Sequence, residues 1–195
     1  RLASGTNVYF RDAGYSTGVL EWAGESITGG FTSVVKNPDN GTRVLLTNGK
    51  FQGSNRGEVV AQRALAQVLA LLSPGGDSAL LIGIGAGGAL QALASQPYRR
   101  VDAVELVEDV TQAARLWFKE VNGGVIDSGR VNVIHADGRN LLLLSTHTYD
   151  AVSMQLSSVW FAGAADLYNR EYYALLKQRL TRGGVLQQWI QLHHV

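Results

Sequence analysis

Apolar and polar positions change rhythm at Glu58. Beyond it, Val60, Ala64, Val68 and Leu71 recur at helical spacing and predict a helix over Glu58–Leu72. Ser73-Pro74-Gly75-Gly76 stops that helix. Strand-length apolar runs follow at Ala79–Gly83, Val101–Leu106, Val131–Ala136, Tyr149–Met154 and Val185–Ile190. Helical patterns separate them: Ala89–Ala94, then Val107, Val110, Ala114, Trp117 and Val121 spaced 3, 4, 3, 4, and later Tyr172–Leu180 closed by Gly183-Gly184. Strands alternating with helices predict an α/β fold, a parallel sheet covered on both faces. Residues 1–57 differ. They are rich in Gly, Thr, Ser and Asn, with β-prone runs at Phe31–Lys36 and Thr42–Thr47 around the turn signal Asp39-Asn40-Gly41. The expected division is an N-terminal β-hairpin region over 1–57 and an α/β domain over 58–195.

Composition narrows the function classes. Of 195 residues, 46% are hydrophobic and 17% charged, enough apolar material for a sizeable core. Net charge is +1 and Arg99-Arg100 is the single basic doublet, so no nucleic-acid partner is expected. There is no cysteine, hence no disulfide, thiolate metal site or thiol nucleophile. His135, His147, His193 and His194 lack ligand spacing, and no metal is expected. No G-x-S-x-G elbow occurs. Apolar stretches such as Leu141–Leu144 fall far short of a bilayer span. No secretory signal pattern opens the chain, and it begins at Arg1 rather than Met, as a piece of something longer would. The expected location is the cytoplasm, or the cytoplasmic side of a membrane protein.

The strongest chemical signal is Leu80-Leu81-Ile82-Gly83-Ile84-Gly85-Ala86-Gly87-Gly88, a strand running through glycines into a helix. Such a turn lets a ligand approach main-chain N–H groups. Glu105 ends the next strand, 20 residues after Gly85, where a carboxylate accepts hydrogen bonds from ribose hydroxyls. Gly83, Gly85 and Gly88 also satisfy G-x-G-x-x-G, which leaves a dinucleotide site to be weighed. The third strand favours another nucleoside. It ends in His135-Ala136-Asp137-Gly138, and an acid there suits the exocyclic amine of adenine. Asp-Gly is also common in turns, so Asp137 reads equally as a cap. The candidate nucleoside-binding residues are Gln52, Gly83, Gly85, Gly87, Glu105, Asp137 and Gly138. The fold they imply is a Rossmann-like sheet of the S-adenosylmethionine-dependent methyltransferase type.

These residues resemble the spermidine synthase (polyamine aminopropyltransferase) family over residues 31–195. Thr47-Asn48-Gly49-Lys50-Phe51-Gln52 is similar to its L-D-G-x-x-Q strand-turn, and Glu58 and Gln62 match its substrate-side helix. Gly83–Gly88 stands where the family has G-G-G-D-G-G, and Glu105 and Asp137-Gly138 match its two nucleoside acids. Residues 155–173, reading Q-L-S-S-V-W-F-A-G-A-A-D-L-Y-N-R-E-Y-Y, and the later Gly183-Gly184-Val185-Leu186-Gln187-Gln188-Trp189, resemble most the bacterial branch fused behind a membrane transporter-like region. They make Trp160, Gly163, Arg170 and Glu171 family positions. The resemblance implies decarboxylated S-adenosylmethionine as donor, or S-adenosylmethionine itself, with a small amine or polyamine as acceptor. It also implies two further C-terminal strands, missing here. The sheet edge left open favours a homodimer or a missing partner segment, which includes a fused membrane segment.

The departures lie at the amine end. The position of the family's catalytic acid holds Gln155, which is no general base at pH 7. Ser158 and Ala86 replace two further acids, and Ala61 and Gln67 replace a Tyr and a His. Gln155 is the catalytic position in substituted form, and Asp166 is the second catalytic candidate. Asp166, Glu58 and Glu171 could supply charge and read equally as surface or caps. The expected activity is aminopropyl transfer with a degenerate polyamine and catalytic site. A methyltransferase using S-adenosylmethionine, motivated by Ala86, and a non-catalytic nucleoside-binding module, motivated by Gln155, stay open. A nicotinamide-dependent reductase lacks a hydride-relay constellation.

Overall fold

In the computed structural model, residues 2–10, 15–156 and 164–190 are described. A short helix α1 (Thr6–Tyr9) precedes four antiparallel strands in the order β1 (Val19–Ser26), β2 (Gly30–Lys36), β3 (Arg43–Thr47) and β4 (Lys50–Ser54). The predicted runs are β2 and β3, paired Val34↔Leu45 around the expected turn. β4 closes against β3 with Thr47↔Lys50 opposite each other, leaving the two-residue loop Asn48-Gly49. Both loop residues have positive φ, 50° and 79°, the geometry that follows the twist of a tight hairpin and that Asn-Gly supplies. Asn48 also accepts from the Phe31 N–H and donates to the Gly29 carbonyl, each at 2.9 Å, which ties the hairpin to the start of β2.

Helix α2 (Val59–Leu72) leads into β5 (Ser78–Ile82), α3 (Gly88–Ala94), β6 (Arg100–Glu105), α4 (Glu108–Trp117), α5 (Lys119–Asn122), β7 (Asn132–His135), α6 (Gly138–Leu144), β8 (Tyr149–Met154), α7 (Arg170–Arg179) and β9 (Leu180–Gln188). The five later strands form one parallel sheet, ordered β7-β6-β5-β8-β9. Its architecture is the predicted α/β one. Alternation along β5 divides the core: Leu81 packs with Leu69 of α2 and with Leu90 and Leu93 of α3, while Leu80 and Ile82 pack with Leu142 of α6 and with Tyr172 and Leu176 of α7. The antiparallel sheet joins through a third cluster, in which Val34 and Leu45 meet Val107, Val110, Phe118 and Val121. Among the described residues, no helix is long and apolar enough to cross a membrane.

Several elements differ from expectation. The stripe that predicts α2 faces outward: Val60 is 76% and Leu71 78% exposed, and Ala66 and Leu69 are buried instead. The helix has only three polar residues, Gln62, Arg63 and Gln67, so its apolar period does not single out one face. The helix expected across Val107–Val121 breaks at Phe118, whose φ and ψ of −126° and 27° are non-helical and whose ring is fully buried. β9 begins at Leu180, before the glycines. Gly183 and Gly184 fall inside it where its register with β8 shifts. β1 and α6 carry no clear period and were not expected.

Candidate functional site

The glycine turn leaves the end of β5 and enters α3. Gly85 sits at φ 52°, and a Cβ built on it would lie 2.7 Å from the backbone oxygen of Gln52 in β4. A side chain would therefore meet both a strained backbone and a rigid neighbour. Gly53 likewise leaves room for Ala86, whose methyl would lie 3.0 Å from an added Cβ. The antiparallel sheet and the glycine turn thus touch through backbone.

This junction and the C-terminal ends of the parallel strands enclose a cavity of about 360 Å³. That volume lies within the range of small-molecule sites. Gln52, Gly83, Gly85, Glu105, Asp137, Gly138 and Gln155 all line it. Open α/β sheets bind ligands at the carboxyl ends of their strands, and this cavity has that placement.

Glu105 is held from two sides. Its Oε2 accepts the Ile84 N–H at 2.8 Å and its Oε1 the Val107 N–H at 3.1 Å. The carboxylate is thereby fixed where it lines the cavity. Burial pushes the carboxyl above its ordinary value, against the N–H groups of Ile84, Val107, Gly85 and Leu106, which pull it down. The folded chain therefore holds this proton more tightly than the unfolded chain. The resulting stability is fully present below the ordinary value of 4.5 and is lost as pH rises through the raised one.

Asp137 takes one of the two roles foreseen for it, the cap, and stands where the other would need it. Its Oδ1 caps α6 by accepting the Asn140 N–H at 2.8 Å, and the residue still lines the cavity. Gly138 is buried, and an added Cβ would lie 2.8 Å from Ile82 Cγ2.

Gln155 leaves β8 beside Gly83. Its Nε2 donates to Ser153 Oγ at 2.8 Å and to Gln187 Oε1 at 3.3 Å, and Ser153 Oγ donates to Gln187 Oε1 at 2.6 Å. Among the described residues, Gln155 Oε1 is buried without a partner. An unpaired buried acceptor costs about 1–3 kcal/mol.

Other candidates lie elsewhere. Gly87 caps α3 and packs against Asn122 rather than lining the cavity. The Asp166 side chain is exposed and outside the cavity lining, so the fold does not bring this second catalytic candidate to Gln155. Glu171 sits exposed in the first turn of α7, and Glu58 accepts from Ser54 Oγ at 3.3 Å; neither lines the cavity. Ala86 is buried in the apolar cluster with Val34 and Leu45. Trp160, Gly163 and Ser158 lie outside the described residues, as do His193 and His194. Thr28 and Gly29 also line the cavity and were not singled out in the sequence, and Lys50, quoted there only within the strand-turn motif, lines it too. No group of three or more metal-ligating side chains occurs among the described residues.

Residues 58–193 match the family model of the spermine/spermidine synthase domain. The chain is 30% identical over 158 residues to polyamine aminopropyltransferase 2 of Pseudomonas aeruginosa, covering 80% of this chain and 45% of that one. It is 30% identical over 150 residues to the polyamine aminopropyltransferase of Nitrosomonas europaea, covering 76% and 46%. A spermidine synthase crystallised with the transition-state analogue AdoDATO superposes with a TM-score of 0.74 at 23% identity, over 83% of this chain and 54% of that chain. The chain spans about half the length of these relatives.

Proposed function

The chain belongs to the spermine/spermidine synthase family, and we propose that it transfers an aminopropyl group from decarboxylated S-adenosylmethionine to an amine. The carrying observation is Glu105, a carboxylate fixed by backbone N–H groups where it lines the cavity, the position from which a strand-end acid accepts from ribose hydroxyls. Asp137, on the next strand end, is the candidate for the adenine amine. Gly83 and Gly85 keep the wall low enough for the ligand to lie against backbone, with Gln52 beside it. Gly138 lets α6 start close beneath.

The chemistry asks little of the protein. The amine lone pair attacks the propyl carbon bonded to sulfur, a C–N bond forms, and the C–S bond breaks with its electron pair going to the sulfonium. Methylthioadenosine leaves as a neutral thioether. Alignment of donor and amine is the main service, together with an amine that arrives neutral. The relatives' names, polyamine aminopropyltransferase, support the same reaction class.

The test is release of methylthioadenosine from decarboxylated S-adenosylmethionine over a panel of amines, read by mass spectrometry. Release well above the protein-free blank, reduced at least tenfold by Glu105→Ala, is expected. Methyl transfer from S-adenosylmethionine, with no aminopropyl transfer to any amine, would replace this reading by the methyltransferase one.

A further inference from the structure

The nucleoside end of the cavity is acidic and its other walls are not. Among the described residues, Glu105, Asp137 and Lys50 are the charged ones lining it. The remaining polar wall is amide and hydroxyl: Asn48, Gln52, Gln62, Gln155, Thr28 and Thr47. Along the chain, no charged residue occurs from Gln155 to Ala165. With both carboxylates committed to the nucleoside, a polycation entering beside it would meet neutral amides and one lysine.

Gln155 is not a loose amide. Both hydrogens of its Nε2 are taken, by Ser153 Oγ and Gln187 Oε1, and Ser153 is fully buried. That leaves Oε1 as the atom without a partner. An amide carbonyl oxygen accepts N–H hydrogen bonds but does not serve as a base at neutral pH.

We propose that Gln155 is a positioning residue which accepts a hydrogen bond from an acceptor amine that is already the free base at neutral pH, a weakly basic amine rather than a polyamine dication. The inference rests on the aminopropyl-transfer reading and names its acceptor class. The free amine holds one N–H on Gln155 Oε1 and aims its lone pair at the propyl carbon. As the C–N bond forms, the C–S electron pair goes to sulfur. The proton of the new ammonium passes to water, because among the described residues no carboxylate lines that end to take it.

Two acceptors of opposite basicity separate the cases, methoxyamine as the weak base and putrescine as the dication. The measurement is methylthioadenosine release from decarboxylated S-adenosylmethionine against pH. For methoxyamine, the rate stays level from neutral to alkaline pH. For putrescine, it is at least tenfold lower at neutral pH and climbs about tenfold per pH unit as free amine appears. Gln155→Glu should raise the putrescine rate at neutral pH and flatten its climb, whereas Gln155→Leu should lower the methoxyamine rate and leave the profile's shape. A merely structural Gln155 would lower the methylthioadenosine affinity of Gln155→Leu together with its rate, and Gln155→Glu would leave the putrescine profile as steep as before. Putrescine turning over as fast as methoxyamine at neutral pH, with a level profile, overturns the inference and leaves aminopropyl transfer standing. No release with any amine, while methylthioadenosine still binds, overturns the transfer reading and this inference with it.

Discussion

Asp137 carries two tasks on one side chain, and two substitutions pull them apart. One carboxylate oxygen caps α6 through the Asn140 N–H; the residue also lines the cavity. Asparagine caps a helix about as well as aspartate, so Asp137→Asn should leave stability within about 0.5 kcal/mol while removing the charge offered to an adenine amine. Asp137→Ala should lose about 1 kcal/mol as well, because the cap goes. Thermal melts and methylthioadenosine titrations measure the two effects separately. If Asp137→Asn binds methylthioadenosine as the unaltered chain does, Asp137 is a cap alone. The sequence showed this residue in both guises and could not choose, since Asp-Gly before a helix serves either purpose. Gln155 was legible as a departure, but its hydrogen bonds were not. They depend on Ser153 and Gln187, two and 32 residues away, being brought together by the pairing of β8 with β9.

At the scale of elements, Asp102 shows what fixes the sheet at the other end of its strands. It is fully buried in β6. It accepts from Arg100 Nε at 2.8 Å on its own strand, from Asn132 Nδ2 at 3.0 Å on β7, and from the Tyr149 hydroxyl at 2.7 Å on β8. Burial and this acceptor raise the Tyr149 hydroxyl well above its ordinary value. Asp102→Ala orphans the buried Tyr149 hydroxyl, whereas the exposed Asn132 amide can turn to water, so it should cost roughly 1–3 kcal/mol in urea unfolding. A cost below about 1 kcal/mol would mean that water replaces the carboxylate there. Asp102 was invisible in the sequence because it sits inside an apolar run that reads as a buried strand. The strands themselves were legible, since four- to six-residue apolar runs between turn signals have few other uses. The outward face of α2 was not, because a helix apolar nearly all round carries no directional information.

The whole molecule joins two sheets across one cavity. Thr47, Lys50 and Gln52 reach it from the antiparallel sheet, and Glu105, Asp137 and Gln155 from the parallel one. The two are held by backbone contacts at Gly53 and Gly85 and by the cluster around Val34, Leu45 and Phe118. A ligand seated between them is bound only when both are folded and docked, so its binding energy adds to the stability of each. At a hundredfold excess over Kd, methylthioadenosine should stabilise the fold by about 2.7 kcal/mol. For a chain of 195 residues that is a rise in Tm of roughly 5–10 °C. Hydrogen exchange locates the effect. Amides of β3 and β4 should slow together with those of β5 and β6, because opening either sheet would release the ligand. Protection confined to β5 and β6 would mean that the ligand sits on the parallel sheet alone, and that Gln52 and Lys50 form a rim it does not touch.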